Sequence, residues 1–311
     1  MSSLHARLRE LRSQAGHKPA PSAPATASSG RNATTAKPVS SPLSPDLRRL
    51  LQRHAQLKRG PACVASSDRE VPGIELSPGL RYTESRVDWL QPPKIIDATF
   101  ARVAPVQHQH LLHFDTETTG LAGGTGTRAF MIGAADWIDG QFRIRQLTIT
   151  SMAAETAMLR RFAEWISDST ALVSYNGKCY DAPLLATRYR LARLPNPLAG
   201  LAHIDLLHPV RRHWKGQWEN CRLATAERQL LGVVREDDLP GSEAPAAWLT
   251  YLRGGSALNL RRVAAHNAQD LKSLAGVLLR MSELAVQNLR DPVLSDRGVA
   301  RQAVRQQCSR G

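Results

Sequence analysis

The stretch HLLHFDTETTGLAGGTGTRAFMIGAADWIDGQFRIRQLTIT, residues 110–150, decides the fold of this chain. It contains three apolar runs of strand-like composition, over residues 110–114, 130–138 and 142–150. Asp139-Gly140 separates the last two runs, and such a dipeptide between apolar segments is a strong hairpin signal. The stretch therefore predicts a three-stranded antiparallel meander, with a tight glycine-rich turn after its first strand.

Helical and strand-like segments alternate in the chain that follows. Apolar residues recur at helical spacing over residues 153–167, and residues 171–175 form an apolar run that Asn176-Gly177 stops. The further predicted elements are a helix over 182–194, a short strand over 203–207, and helices over 222–231 and 267–279. This order predicts an α/β fold in which a mixed central sheet, the meander plus parallel strands, is flanked by helices.

Composition divides the chain into three parts. Residues 1–90 are predicted to form a largely disordered basic extension, because residues 13–45 are rich in Ser, Ala, Thr and Pro and cannot bury a core. Within this extension a short amphipathic helix is predicted over residues 46–59. The folded domain is predicted over residues 91–289, and a flexible polar tail over residues 290–311.

The charge balance points to a polyanionic partner. Lys and Arg number 41 against 27 Asp and Glu, a formal net charge of +14, which favours nucleic acid, although arginine-rich chains are often basic without such a partner. Four scattered cysteines without a CxxC pair favour a reducing compartment. No membrane-span-like apolar run or secretory signal is visible, so we expect a cytoplasmic protein without a membrane partner. No protein partner can be named.

Four acidic residues adjoin apolar segments that should be buried: Asp115, Glu117, Asp181 and Asp270. Asp115 and Glu117 share one face of a strand, because side chains alternate with period two. Carboxylates in such places are costly unless a cation compensates their charge, and oxygen ligands suit Mg²⁺ or Mn²⁺. We therefore predict that these four residues hold a pair of such ions. Taken alone, Asp181 is also typical of a helix N-cap.

His266 lies four residues before Asp270, so the two share a helix face. Histidine is suited to accept a proton near neutral pH, and His266 is predicted to face an attacking water while Asp270 holds a metal. A histidine at a helix edge is also an ordinary surface residue. Asn176, Thr118 and Lys178 are assigned to substrate binding, although Asn176 equally fits an ordinary turn.

Two further features each allow two interpretations. Asp205 is either an outer metal ligand or a residue that orders a neighbouring arginine or backbone. Residues 211–218 interleave basic side chains with Trp214 and Trp218. They form either a surface that binds phosphates and stacks bases, or a solvated basic face with core tryptophans.

The motifs together resemble a known family. DTETTGL, NGKCYDAPLL and HNAQDLKSL resemble the three motifs of DEDD-type 3′–5′ exonucleases on the ribonuclease H-like fold. AFMIG, HIDLLHPVRR, CRLATAERQLLG and LPGSEAP resemble segments of the YprB ribonuclease H-like domain family. The resemblance implies a two-metal 3′–5′ exonuclease of single-stranded DNA or RNA. It assigns the four acids as metal ligands and His266 as the general base.

One departure from the motifs concerns the histidine. In the histidine-type exonucleases it precedes the last aspartate by five residues, and in the tyrosine-type members a tyrosine precedes it by four. Here His266 takes the tyrosine-type spacing.

The sequence alone leaves alternatives to an exonuclease open. The chain can be a catalytically weak or inactive nucleic-acid-binding module on the same fold. A phosphatase-type nucleophile in DTETTG is a remote third alternative, since that chemistry wants an aspartate where Glu117 stands. The motifs do not distinguish DNA from RNA, or exonuclease from endonuclease action.

Overall fold

A mixed β-sheet lies at the centre of the computed structural model, which describes residues 68–89, 92–120, 126–236 and 238–290. The strands are β1 (Ile74–Ser77), β2 (Leu80–Asp88), β3 (Ile95–Ile96), β4 (Val106–Gln107), β5 (Leu111–Thr118), β6 (Ala129–Ile138), β7 (Gln141–Ile149), β8 (Ala171–Ser174) and β9 (Ala202–Asp205). Seven of them form the central sheet in the order β1-β2-β7-β6-β5-β8-β9, while β3 and β4 pair separately. The neighbours from β1 to β5 are antiparallel, whereas β5–β8 and β8–β9 are parallel. The predicted mixed sheet with its meander is confirmed.

The hairpin between β6 and β7 forms where the sequence predicts it. Asp139 and Gly140 have φ angles of 50° and 79°. Two successive residues with positive φ match the twist of the flanking strands, which explains the Asp-Gly pair. Pairing continues from Ile138↔Gln141 to Met131↔Thr148.

Helices cover both faces of the sheet. They are α1 (Glu155–Ala163), α2 (Asp181–Leu191), α3 (Leu207–Trp214), α4 (Leu223–Leu231), α5 (Ala244–Leu252) and α6 (Leu258–Arg290). One apolar core joins α1, α2, α5 and the start of α6 to one face, and a second joins α3, α4 and the rest of α6 to the other. The predicted helix over 267–279 is thus part of a longer one. None of the described helices is long and apolar enough to cross a membrane.

The predicted start of the domain at residue 91 is wrong. β2 pairs with β7 along its whole length, from Leu80↔Ile149 to Asp88↔Gln141, and β1 pairs with β2. Only Leu80 of β2 is buried, so the strand carries no apolar alternation that a sequence pattern could reveal. The backbone ladder holds it in the sheet. The predicted helix over 46–59, the turn residues 121–125 and the tail after residue 290 lie outside the described residues.

Helix α6 lies unusually close to the sheet at Gly133 of β6. A Cβ atom built on Gly133 would lie 2.0 Å from Oδ1 of Asn267 and 3.0 Å from Cδ1 of Leu271. Only a residue without a side chain therefore allows α6 to lie here. The close approach brings the polar face of α6 against the end of β5.

We expect Gly133→Ala to destabilise the fold, because the added methyl overpacks the contact with Asn267. Overpacking typically costs about 1–3 kcal/mol, which urea unfolding would measure. Gly126→Ala is the matched control, since nothing lies within 4 Å of a Cβ at that position. Equal stability of both variants would contradict the close approach.

Candidate active site

Strand β5 places two carboxylates at the sheet end that α6 covers. Asp115 is partly buried and Glu117 is 7% exposed. Asp115 lies opposite Gly133 on β6, and this glycine leaves room for Asn267. The Asn267 amide donates to Oδ2 of Asp115 at 2.9 Å, while its oxygen accepts a hydrogen bond from Gln146 of β7 at 2.9 Å. Asp115 is thus held by a buried chain of hydrogen bonds that runs from Gln146 through Asn267.

Asp181 reaches β5 from a different direction. It is the first residue of α2, and the N-cap position belongs to Tyr180, so the simple capping interpretation does not describe it. Its carboxylate accepts a hydrogen bond from the Thr116 hydroxyl. The side chain of Thr116 points to the opposite face of β5 from Asp115 and Glu117, because strand side chains alternate. Asp181 therefore approaches β5 from the opposite face of the strand.

Helix α6 contributes His266 and Asp270 one turn apart. Nε2 of His266 lies 3.5 Å from Oδ2 of Asp270. Nδ1 of His266 lies 2.7 Å from Oδ1 of Asp238, in the loop between α4 and α5. The same loop supplies Arg235, whose guanidinium donates to Asp270. The last acid of the predicted set is consequently paired with a protein cation.

The carboxylates interact through their charges. Burial raises the pKa of Glu117 to about 8, with Asp270 and Asp181 adding repulsion. Burial, together with the other three acids, also raises the pKa of Asp115 well above its usual range. Burial raises the pKa of Asp181 to about 6, although the Thr116 hydroxyl opposes the shift. The site thus concentrates negative charge in a poorly hydrated place.

Burial also raises the pKa of Asp270, although His266 and Arg235 act in the opposite direction. Of the four acids, Asp270 is therefore the one that pairs with a protein cation, Arg235.

The donor set fits a hard divalent cation, since every candidate ligand is a carboxylate oxygen and the charges repel one another without one. In the described part of the chain, however, no three His, Cys, Asp or Glu side chains are placed to hold one ion as they stand. Their present hydrogen bonds tie Asp115 to Asn267, Asp181 to Thr116 and Asp270 to Arg235. Ion binding would have to replace at least some of these partners.

The residues assigned to substrate binding have different positions. Asn176 and Lys178 are exposed in the turn after β8, whereas Thr118 is buried and its hydroxyl donates to the carbonyl of Gly120. Thr118 therefore has a structural contact, while Asn176 and Lys178 have side chains open to a ligand.

Asp205 at the end of β9 orders the turn after β8. Its carboxylate accepts hydrogen bonds from the backbone N–H groups of Asn176 at 2.8 Å, Lys178 at 3.0 Å and Leu207 at 3.1 Å. Asn176 has a φ of 68°, a conformation that these bonds help to fix. The structure supports the interpretation of Asp205 as a residue that orders neighbouring backbone.

The basic segment 211–218, which begins in the last turn of α3, carries its tryptophans as a stacked pair. The rings of Trp214 and Trp218 lie 4.6 Å apart with an interplanar angle of 7°. Both are partly buried against the second core, and Arg212 donates to the carbonyl of Phe100. These contacts favour the interpretation of a solvated basic face with packed tryptophans. Each indole ring of the pair already stacks one of its faces on the other ring.

Sequence reasoning missed three polar residues around the acids: Arg235, Asp238 and Asn267. Asn267 stands inside the HNAQD motif, so its place beside His266 was a usable signal. Arg235 and Asp238 belong to an irregular loop, in which no periodicity indicates the direction of a side chain.

Comparisons with known proteins agree with the fold. A family model described as the RNase_H superfamily matches residues 112–282, more than half of the chain. The chain is 37% identical over 176 residues to the protein named Uncharacterized protein YprB of Bacillus subtilis (strain 168). The match covers 56% of this chain and 42% of YprB, so the chain spans less than half the length of this relative.

Two solved structures show more distant likenesses. The family B DNA polymerase of the hyperthermophilic archaeon Pyrobaculum calidifontis is 17% identical with a TM-score of 0.41, over 58% of this chain and 24% of the polymerase. A product-bound exonuclease I is 14% identical with a TM-score of 0.35, over 51% of this chain and 46% of the exonuclease. At these TM-scores neither likeness carries an argument about the site.

We expect the free energy of unfolding, measured in chelator, to fall as the pH rises from 4.5 towards 8. The pKa of Glu117 is raised from an ordinary 4.5 to about 8. The folded protein therefore keeps a proton that the unfolded chain has released, and this stabilisation is lost as the pH approaches the folded value. Each unit of pKa difference corresponds to about 1.4 kcal/mol, so the decline should reach a few kcal/mol.

Urea unfolding at several pH values would measure the decline. Glu117→Gln should flatten it, whereas Glu164→Gln, at an exposed position, should not. The same slope in the parent and in Glu117→Gln would show that Glu117 does not retain the proton.

Proposed function

Because the chain belongs to the RNase H superfamily and its resemblance to the YprB ribonuclease H-like domain family is confirmed, we propose that it is a metal-dependent nuclease. In this proposal it hydrolyses phosphodiester bonds of single-stranded DNA or RNA as a 3′–5′ exonuclease. The polarity follows from the resemblance of its three motifs, in order, to those of DEDD-type exonucleases.

One observation carries the proposal: separate segments bring repelling carboxylates to one end of β5. Asp115 and Glu117 come from the strand, Asp181 from α2 and Asp270 from α6. Burial, with repulsion from the neighbouring acids added to it, raises the pKa values of Asp115 and Glu117, so the arrangement costs stability in the absence of a cation. Natural proteins place such unfavourable groups chiefly at functional sites.

The proposed ligands of Mg²⁺ or Mn²⁺ are Asp115, Glu117, Asp181 and Asp270. Two such cations, when bound, stabilise negative charge on the attacking and leaving oxygens of a phosphodiester. His266 faces Asp270 through Nε2 and is the proposed acceptor of a proton from the attacking water. Asn176 and Lys178, exposed beside Asp181, are the proposed contacts to a sugar or phosphate of the strand.

A second function has one observation in its favour. Asp270 is paired with Arg235, and the described acids do not surround a single point. A nucleic-acid-binding module that has lost catalysis would keep such a protein cation permanently in place. Direct ion binding distinguishes the two functions, because only the nuclease needs Arg235 to yield to a cation.

We expect Mn²⁺ to bind the full chain and to raise its melting temperature, because it relieves the repulsion around Glu117. Asp115→Asn and Glu117→Gln should weaken binding by about tenfold or more, as seen by isothermal titration calorimetry. Asp168→Asn, at an exposed position outside the site, should bind like the parent. Absence of Mn²⁺ binding to the parent would favour the binding module.

End-labelled single-stranded DNA and RNA, digested with Mg²⁺ or Mn²⁺, would test the activity. We expect stepwise shortening from the 3′ end, and a loss of about 100-fold or more in Asp115→Ala and Asp270→Ala with nucleic-acid binding retained. Asp168→Ala again serves as the control. Cleavage by both site variants at the parent rate would contradict the assignment of the site.

A further inference from the structure

The loop between α4 and α5 holds the imidazole of His266 through Asp238. Nδ1 lies 2.7 Å from Oδ1 and 2.9 Å from Oδ2 of this carboxylate. The side chains of His266 and Asp238 are 15% and 28% exposed. Gly241 of the same loop lies near Nε2, where an added Cβ would stand 3.5 Å away. The loop thus borders the ring at both nitrogens.

The partners of Nδ1 decide where the ring carries its proton. Arg235 also approaches Nδ1, with NH1 at 3.3 Å, but a guanidinium only donates and a carboxylate only accepts. A bare Nδ1 would place its lone pair against Asp238 oxygens at 2.7 and 2.9 Å. Nδ1 must therefore carry the hydrogen and donate it to Asp238. In the neutral ring this leaves the lone pair on Nε2, the nitrogen on the Asp270 side.

Arg235 fixes the accepting carboxylate in turn. Its NH1 donates to Oδ2 of Asp238 at 3.2 Å, and its Nε donates to Oε2 of Glu227 at 2.7 Å. Glu227 is completely buried, and its other oxygen accepts a hydrogen bond from Gln269 at 2.8 Å. A charge buried in this way is held firmly, because breaking its pairs would leave it unsatisfied. Through this guanidinium, the buried Glu227 anchors the loop that carries Arg235 and Asp238.

We propose that Asp238 and Arg235 are positioning residues that hold His266 as the Nδ1–H tautomer, with the lone pair of Nε2 on the Asp270 side. The inference rests on the proposed nuclease function, in which Nε2 takes a proton from the attacking water. The proton moves from the water oxygen to Nε2, and the resulting imidazolium keeps its Nδ1–H bond to Asp238. A carboxylate at Nδ1 both selects the tautomer and stabilises this cation.

The proposal also bears on the unusual spacing of His266. A base four residues before the last aspartate lies one turn from it on the same helix face, and Nε2 of His266 lies 3.5 Å from Oδ2 of Asp270. Asp238 holds the other ring nitrogen from a different segment. Arg235 and Asp238 therefore act together with the HNAQD motif in this proposal.

The tautomer can be read directly from long-range ¹H–¹⁵N correlation spectra of the full chain labelled with ¹⁵N-histidine. The chain has ten histidines, so the His266 signals are assigned by their absence in His266→Gln. We expect the Nδ1–H pattern for His266 in the parent. Asp238→Asn, whose amide oxygen can still accept from Nδ1, should keep the pattern, whereas Asp238→Ala should lose it.

Turnover should follow the tautomer. Asp238→Ala is expected to lower kcat by about tenfold or more with little change in KM, and Asp238→Asn should recover part of that loss. Glu236→Ala, an exposed neighbour in the same loop, should behave like the parent in both measurements. A merely structural role for Asp238 would change stability without this matched change in tautomer and kcat.

Two results would overturn the proposal. One is an Nε2–H pattern for His266 in the parent, and the other is an unchanged tautomer and kcat in Asp238→Ala. If the parent hydrolyses no nucleic acid, the proposed nuclease function fails, while the spectra still decide whether Asp238 sets the tautomer. The two failures are thereby distinguishable.

Discussion

The contact between Asn267 and the sheet is the constraint on which the rest of the site depends. Its amide joins Gln146 on β7 to Asp115 on β5, and it passes directly over Gly133 on the strand between them. A single buried side chain therefore satisfies polar groups on two strands while α6 packs against a third. Because buried amides are costly unless fully hydrogen-bonded, this chain of hydrogen bonds fixes the rotation of α6 about its axis and its distance from the sheet. The positions of His266 and Asp270, on either side of Asn267, follow from it.

Negative charge explains the polar residues that surround this contact. Burial and repulsion raise the pKa values of the β5 acids, and the protein lowers the cost in two ways. It supplies a cation, Arg235, to Asp270, and its environment favours the protonated form of Glu117. Both forms of compensation are replaceable by a divalent ion, since Arg235 can release Asp270 while keeping its pair with Glu227, and a proton can leave. The resting arrangement and an ion-loaded one are thus alternative solutions of the same electrostatic problem.

The sequence predicted the parts of the molecule that follow from short-range rules. The Asp139-Gly140 hairpin, the same-face pair Asp115 and Glu117, and the i, i+4 pair on α6 depend only on strand and helix geometry. β2 was missed because it carries charged side chains and buries almost nothing, so its place depends on pairing with β7. The present contacts of the acids were equally beyond the sequence, since each depends on where a distant segment arrives.

The loop that carries Arg235 and Asp238 illustrates this last point most clearly. This loop lies before α5 and α6 in the chain and has no periodic pattern. Even so, it provides hydrogen-bond partners for both His266 and Asp270 on α6. Glu227 makes this possible, because a carboxylate without any solvent exposure needs a cation and draws Arg235 into the interior. Once Arg235 is held there, its other nitrogens donate to Asp238 and Asp270. A buried anion on α4 therefore determines the orientation of the histidine on α6, although neither residue contacts the other.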